Sequence, residues 1–364
     1  MLTIPSDLLQ QFTADVFSAS GCSRPEAERV ARYLVGANLA GHDSHGVARI
    51  PRYVQMQREG MLFPDRQIEV VVDTPVLAVV DGKFGFGQTV APLAVQLGID
   101  KCKAMGLSAI GLRHAGHIGR VADWAEMAAE QGLVSVHFVN ATGSPLVAPF
   151  GSPERRFSTA PYCVGVPVKG REPLLLDFAT SVVAEGKVMV ASQGGRPIPA
   201  DALIGPDGKV SDDAHLLYGD YESTGKRDVR NGRGAIRAFG EHKGSGLALM
   251  CELLGGALSG NGCVTPGSRF ANGMFSFYVD PARVDPGAMF PAEVVRYVDF
   301  VKQSRPAAPG GETLLPGEKE SRTRAERLAQ GVPLPEETWS LIVDTARSLG
   351  LDTGKVQNAL AGHR

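Results

Sequence analysis

Between residues 68 and 180 the sequence switches repeatedly between two periodicities. The runs IEVVVD, VLAVVDG and GLSAIGLRH are short and rich in β-branched residues. The stretches APLAVQLGIDKCKAMG and VADWAEMAAEQG are Ala-rich and have helical spacing. GLVSVHFVN, YCVGVPV and PLLLDFA then continue as strands. Strands and helices in mixed order predict a large α/β or α+β domain. At 364 residues the chain is longer than a single core usually grows, so two intimately packed parts are expected.

The flanks of this region are helical. Ser6 and Asp7 are positioned to cap a first helix, and SRPE (residues 23–26) has the form of a capping box opening a second helix that ends at Gly41. Residues 192–242 are rich in Gly, Asp, Arg and Pro and read as a long irregular excursion. A helix from about Lys243 to Ala257, the strand MFSFYVD, and helical patterns in AEVVRYVDFVKQS, RTRAERLAQ and EETWSLIVDTARSLG complete the chain. The division expected is an N-terminal helical segment (1–66), a mixed core (67–310) and a C-terminal helical segment (311–364) that packs back on the first.

Composition excludes several classes of function. A net charge of −2, with no Lys/Arg run, argues against a nucleic-acid binder. No segment approaches 18 uninterrupted apolar residues, and the N-terminus lacks the pattern of a signal peptide, so a cytoplasmic protein with no membrane partner is expected. Five scattered cysteines without a C-x-x-C pair suit free thiols in a reducing compartment.

The candidate chemistry lies in a few dense motifs. GHDSHGVARIPRY (residues 41–53) follows directly on a helix end and packs two imidazoles, an acid, a hydroxyl and two arginines into one loop. His45 suits a general acid or base near neutral pH, and Arg49 or Arg52 suits a carboxylate grip. Asp177 ends the apolar strand of LLLDFATS; the alternative is an ordinary helix cap. Two helix starts, HIGR with Gly119 and Arg120 and HKG with His242 and Lys243, place cations where the helix dipole favours anions, and so mark candidate phosphate or carboxylate sites. The dinucleotide fingerprint G-x-G-x-x-G and the phosphate loop are both absent. The spacings His42/His45 and His114/His117 keep a zinc-dependent hydrolase as a distant alternative, although no H-E-x-x-H helix is present.

Taken together, AGHDSHGVARIPRYV, HIGRVADWAE, VAPFGSPERRFSTAP, PLLLDFATS, EHKGSGLALMCELLGGALSG and LPGEKE resemble the type-2 malate/L-lactate dehydrogenase family, and within it the hydroxycarboxylate dehydrogenase B subgroup. The resemblance runs from about residue 30 to the C-terminus. It implies a non-Rossmann fold, reduction of 2-oxo acids or cyclic imino acids, a homodimer with the site near the subunit interface, and NADH ahead of NADPH as cofactor. By matching motifs it implies that His45 is the proton donor with Ser44 beside it. It further implies that Asp177 is a catalytic residue that orients or polarises its neighbours, and that His45, Asp177, Phe178, Ala179, Gly119, Arg120, His242, Lys243, Gly317, Glu318 and Lys319 lie around the cofactor. No resident metal is implied. Ser158–Thr159–Ala160–Pro161 stands where the family usually has G-T-N-P, which removes an asparagine amide, and residues 221–234 form an unusual insertion before HKG.

Overall fold

The computed structural model describes residues 1–354 and 356, apart from 144, 193, 195 and 222–226. A short strand β1 (Leu2–Ile4) leads into helices α1 (Ser6–Ala19), α2 (Arg24–Leu39) and α3 (Ile50–Arg58). Neither sequence-expected cap operates as read. Pro5 occupies the N-cap of α1 and Ser6 is already helical. Ser23 is the N-cap of α2, but its amide donates to Asp65 Oδ2 at 2.9 Å and its hydroxyl to the other oxygen of the same carboxylate. Glu26 meanwhile accepts from Thr89 Oγ1 at 2.7 Å and from the Asp65 amide. A charged acceptor from 42 residues away satisfies Ser23 better than the local box would.

The next segment builds the main sheet. In chain order it supplies β2 (Glu69–Asp73), β3 (Leu77–Asp81), α4 (Gly87–Met105), β4 (Leu107–Ala115), α5 (Ala122–Glu130), β5 (Val134–Ala141), the detached β6 (Val147–Ala148), β7 (Pro161–Val166) and β8 (Leu174–Ala179). After α6 (Glu185–Ser192) come β9 (Leu203–Ile204), β10 (Val210–Ser211), α7 (His215–Tyr218), β11 (Ala235–Arg237) and α8 (His242–Cys251). The chain ends with β12 (Asn272–Val279), α9 (Pro281–Val284), α10 (Met289–Lys302), α11 (Glu318–Gln330), β13 (Val332–Leu334) and α12 (Glu336–Ser348).

The seven-stranded sheet has the order β2-β3-β4-β12-β5-β7-β8. Only β3 and β4 pair in parallel, because α4 carries the chain back between them; every other pair is antiparallel. Helices α4 and α5 bury Val90, Ala94, Trp124 and Ala128 against Ile110, Leu112 and Met274 of the sheet. Gly98 is required there, since a Cβ would stand 2.4 Å from the Tyr278 ring. A second apolar cluster joins the chain ends: β1 pairs with β13, and Phe12 meets Trp339 with ring centroids 5.4 Å apart.

Residues 192–242 are more ordered than their composition predicts. Strands β9, β10 and β11 join β6 in a four-stranded sheet around Val147, Leu203, Leu217 and Ile236. Strands of two or three residues are too short to register as a period, which is why the sequence reads as a loop. The Arg155 guanidinium donates to the carbonyls of Leu217, Val229, Gly232 and Gly234, fastening the described part of the 221–234 insertion from one point. Residues 222–226 of that insertion lie outside the described residues. Helix α8 starts at His242 and widens into a π-helical stretch from Glu252 to Leu258, a break that the sequence pattern did not signal.

His137 on β5 is fully buried between the hydroxyls of Ser276 (2.8 Å) and Ser135 (3.0 Å), and burial pushes its pKa down to about 3. The unfolded chain protonates this residue near its ordinary value of about 6.5 while the folded chain does not, so stability falls as pH drops below that value. Relative to His137→Asn, the wild type is expected to lose about 2 kcal/mol more between pH 7 and pH 5, as measured by urea unfolding at each pH.

Candidate active site

The DSHG loop leaves α2 through Gly41, which has a positive φ of 83°, and folds as a single 3-10 turn, Asp43–His45. Asn38, fully buried on the last turn of α2, holds the loop from beneath: its amide nitrogen donates to Asp43 Oδ1 at 2.7 Å and its oxygen accepts from the Val47 amide at 2.8 Å. From the far end of the chain, Arg327 on α11 places its guanidinium on both Asp43 oxygens and on the Asn38 carbonyl. Asp43 is thus a structural anchor. The loop it anchors presents its neighbours.

Ser44 Oγ lies 3.1 Å from His45 Nδ1, which turns Nε2 away from the backbone. The first turn of α6 lies over Ser44; a Cβ on Gly186 would come within 2.9 Å of Ser44 Cβ. The imidazole of His117, from the segment between β4 and α5, stacks on His45 with centroids 5.3 Å apart and planes 18° from parallel. His117 Nδ1 is 2.6 Å from the hydroxyl of buried Tyr53, which in turn accepts from Gln88 Nε2 at 3.1 Å. Among the described residues, neither His45 Nε2 nor His117 Nε2 has a partner. Burial, followed by the nearby Arg49 charge, pushes His45 down to about 3 and His117 well below its ordinary value. Two neutral imidazoles therefore lie face to face beside a guanidinium, with one nitrogen of each left open.

A charged cluster adjoins this pair. Asp177, near the end of β8, accepts from the Ala122 amide at 2.8 Å, so it caps α5 rather than the helix that follows it in sequence. Arg120 is 3% exposed and donates to Asp123 at 2.6 Å, while its Nε has no partner among the described residues. Burial pushes Asp123 up to about 6 and raises Asp177 as well, against the pull of Arg120. Helix α11 closes the cluster through Arg324 to Glu126 and Glu320 to His42. Ahead of α5, the amides of Gly119 (φ 72°), Arg120 and Val121 have no partner among the described residues. Successive free amides about a left-handed glycine form a nest for an anion. This stretch fits a nucleotide phosphate, and the backbone, with Arg120 committed to Asp123, is what would hold it.

The family model described as malate/L-lactate dehydrogenase matches residues 4–343. The chain belongs to the malate/L-lactate dehydrogenase family. It is 39% identical to hydroxycarboxylate dehydrogenase B of Escherichia coli K12 over 96% of this chain and 95% of that one. It is 34% identical to L-lactate dehydrogenase of Cupriavidus necator, over 94% of this chain and 96% of the relative. A structure solved for an E. coli protein described as a malate/lactate dehydrogenase superposes with a TM-score of 0.90 at 37% identity, covering 100% of this chain and 99% of that one. The protein is therefore an oxidoreductase acting on the CH–OH group of a hydroxy acid, in a family of nicotinamide-dependent dehydrogenases with a mixed-sheet fold.

The remaining motif residues of the malate/L-lactate dehydrogenase pattern fall around the same region in different ways. Phe178 packs edge-on against Phe239 at 5.3 Å, just ahead of the exposed His242 and Lys243 that begin α8. The amides of Lys243, Gly244 and Ser245 are already spent on the carbonyls of Gly240, Phe239 and Glu241, so at this helix start only the side chains remain for a ligand. Ala179 pairs with Pro161 at the end of β8. Gly317 (φ 93°) caps α11 where Pro316 accepts from the Leu175 amide on β8; Glu318 is taken up by Lys302, and exposed Lys319 follows it. Arg49 lies beside both imidazoles, whereas Arg52 on α3 pairs with Glu59 just past the helix end. Ala160, where the family usually has asparagine, is fully buried, and its carbonyl accepts both the amide and the hydroxyl of Thr180. The zinc spacing does not close into a site: His114 is bound to Asp81 at 2.9 Å, and among the described residues no three ligand-type side chains converge.

Sequence reading missed His117 as a partner of His45, together with Tyr53 and Gln88. Tyr53 stands inside the quoted motif, and its period with Ile50 and Val54 marks only a buried helix face. The clamp beneath the loop generates a direct test. A Cβ on Gly46 would lie 2.1 Å from the Asn38 side chain, whose hydrogen bonds prevent it from yielding. Gly46→Ala is expected to destabilise the fold by about 2–3 kcal/mol and to lower activity more than secondary structure, as read by thermal melting and circular dichroism.

Proposed function

We propose that the protein reduces a 2-oxo acid to the 2-hydroxy acid with NADH, and that His45 delivers the proton to the carbonyl oxygen. The observation that carries this reading is the pair of open Nε2 atoms on the stacked His45 and His117 rings, with Arg49 beside them. Arg49 is the group to hold the substrate carboxylate, because a guanidinium binds it in two-point fashion. Ser44 fixes the orientation of His45 through Nδ1. Bound nicotinamide supplies the hydride; the chain supplies position and charge. The residues that would hold the cofactor are the nest at Gly119–Val121 with Arg120 behind it, Phe178 and Ala179 at the end of β8, His242 and Lys243, and the Gly317–Glu318–Lys319 turn. Asp177 acts by holding the start of α5.

Charge governs the direction of the chemistry. In the free protein, burial and then Arg49 keep His45 neutral at physiological pH. The substrate carboxylate brings the compensating negative charge, so the imidazole takes up a proton as the oxo acid binds and returns it to the developing alkoxide. Stacking restricts the pair to one positive charge at a time. The acids Asp123, Glu126, Asp177 and Glu320 outnumber Arg120 and Arg324 in the adjoining cluster, a balance that favours the ribose hydroxyls of NADH over the extra phosphate of NADPH.

The reading extends to assembly and location. Helix α10 buries only Val298 among its 14 residues and exposes Met289, Tyr297 and Phe300, and a helix apolar on several faces calls for a cover. A second copy of the chain is the cover we assign, forming a homodimer. A cytoplasmic location is part of the same reading; separately, no helix among the described residues is long and apolar enough to cross a membrane.

NADH and NADPH consumption against a panel of 2-oxo acids and cyclic imino acids tests the reaction. Turnover with an oxo acid and NADH is expected, with kcat about a hundred- to ten-thousandfold lower in His45→Ala; turnover on cyclic imino acids alone would reassign the substrate, and none at all would sink the reading. Because a proton is taken up on binding, KM for the oxo acid should rise with pH between 6 and 8, by up to about tenfold per unit for one linked proton. Light scattering should give a dimer for the wild type and a monomer for Phe300→Lys.

A further inference from the structure

We propose that Tyr53 and Gln88 form a positioning pair that sets the tautomer of His117 and switches its hydrogen bonds when His117 becomes charged. The proposal rests on the reading of the His45–His117 pair as the proton-handling end of the site. Gln88 donates to the Tyr53 oxygen at 3.1 Å, which leaves the Tyr53 hydrogen for His117 Nδ1 at 2.6 Å. With Nδ1 an acceptor, the one proton of neutral His117 sits on Nε2, the nitrogen without a partner. Tyr53 thus presents His117 as a hydrogen-bond donor towards the open side of the site.

The same three groups can also accommodate the imidazolium. When His117 carries both protons, Nδ1–H must donate to the Tyr53 oxygen, and the hydroxyl needs a new acceptor. One is available: Gln88 Oε1 is buried and has no partner among the described residues. A half-turn of the Gln88 amide brings that oxygen to the Tyr53 hydroxyl, and the His117 carbonyl, 3.5 Å away, is a second acceptor. The net covalent change is one proton gained at His117; the hydrogen bonds of Tyr53 to His117 and Gln88 exchange direction, and no other covalent bond forms or breaks. A buried polar atom left empty in one state and filled in the other is what a reversible hydrogen-bond chain requires. Gly119 is part of the arrangement, since a Cβ there would stand 3.3 Å from Gln88 Nε2 and crowd the amide as it turns. The charged or titratable groups facing His117 are Arg49, His45 and Tyr53, and the first two oppose its charge. Of the three, Tyr53 is the one that can favour it, by accepting Nδ1–H.

Long-range nitrogen–proton NMR of protein labelled at the histidine ring nitrogens, with His117→Gln to assign the signal, reads the tautomer directly. The wild type is expected to show neutral His117 protonated on Nε2. Tyr53→Phe should shift the population towards Nδ1–H and lower kcat about a hundredfold, less than the roughly ten-thousandfold cost of a wrong tautomer in a serine-protease triad. It should also move the acid limb of the kcat profile to lower pH while leaving KM for NADH unchanged. Gln88→Met, which keeps Tyr53 but removes the acceptor, should move the acid limb in the same direction with a smaller loss of kcat. An Nδ1–H tautomer in the wild type, or an unmoved tautomer and pH profile in folded Tyr53→Phe, overturns the proposal. Absence of wild-type turnover on the whole substrate panel overturns the dehydrogenation reading instead, and the NMR result distinguishes the two failures.

Discussion

Asp43 is the contact on which the site depends. Its carboxylate receives the Arg327 guanidinium from α11 and the Asn38 amide from α2, and the three-residue turn between them carries Ser44 and His45. A buried or half-buried ion pair of this kind contributes little net stability, because desolvation offsets attraction; what it contributes is position. Here position is the requirement, since His45 must face His117 within a ring's width. Removing either partner would leave the other charge uncompensated beside two imidazoles that are already depressed by burial and by Arg49.

The division of labour among the charged residues follows from this. Groups that look catalytic by type are largely structural: Asp43 anchors, Asp177 caps α5, and Arg120 is engaged by Asp123. Among the described residues, groups left with open valences include the two imidazole Nε2 atoms, the amides of Gly119–Val121, Arg120 Nε and Gln88 Oε1. In the proposed reading, the anionic reactants would meet backbone amides at Gly119–Val121 and the Arg49 guanidinium, with His242, Lys243 and Lys319 at the rim. That is consistent with a chain whose net charge is only −2.

Much of this was legible in the sequence because the signals were local. The strands VLAVVDG and GLVSVHFVN and the Ala-rich α4 have unambiguous periods, and the DSHG loop announces itself by the density of polar groups after a helix end. What could not be read was long-range. The SRPE box is overridden by Asp65, 42 residues on; the small sheet is built from strands of two or three residues; and the His45–His117 stack depends on β4 delivering one ring to a loop that precedes it by some seventy positions. The sequence offered Asp177 as a cap for the helix that follows it, whereas its carboxylate meets the start of α5, which lies before it in the chain. Spacing within a motif predicts chemistry; which motifs meet is decided by sheet order.

Helix α11 has a consequence in time as well as in space. Arg327 and Glu320, which tie down the loop at residues 42–45, are separated from it by more than 270 positions, and β12, the middle strand of the sheet, also arrives late in the chain. At the pace of a ribosome, roughly 5–20 residues per second, the N-terminal loop waits many seconds for its last anchor. Until then the helices around it can form, but the histidine pair has no fixed partner and the nest ahead of α5 lacks its closing strap. Anchoring of the 42–45 loop is therefore coupled to synthesis of α11.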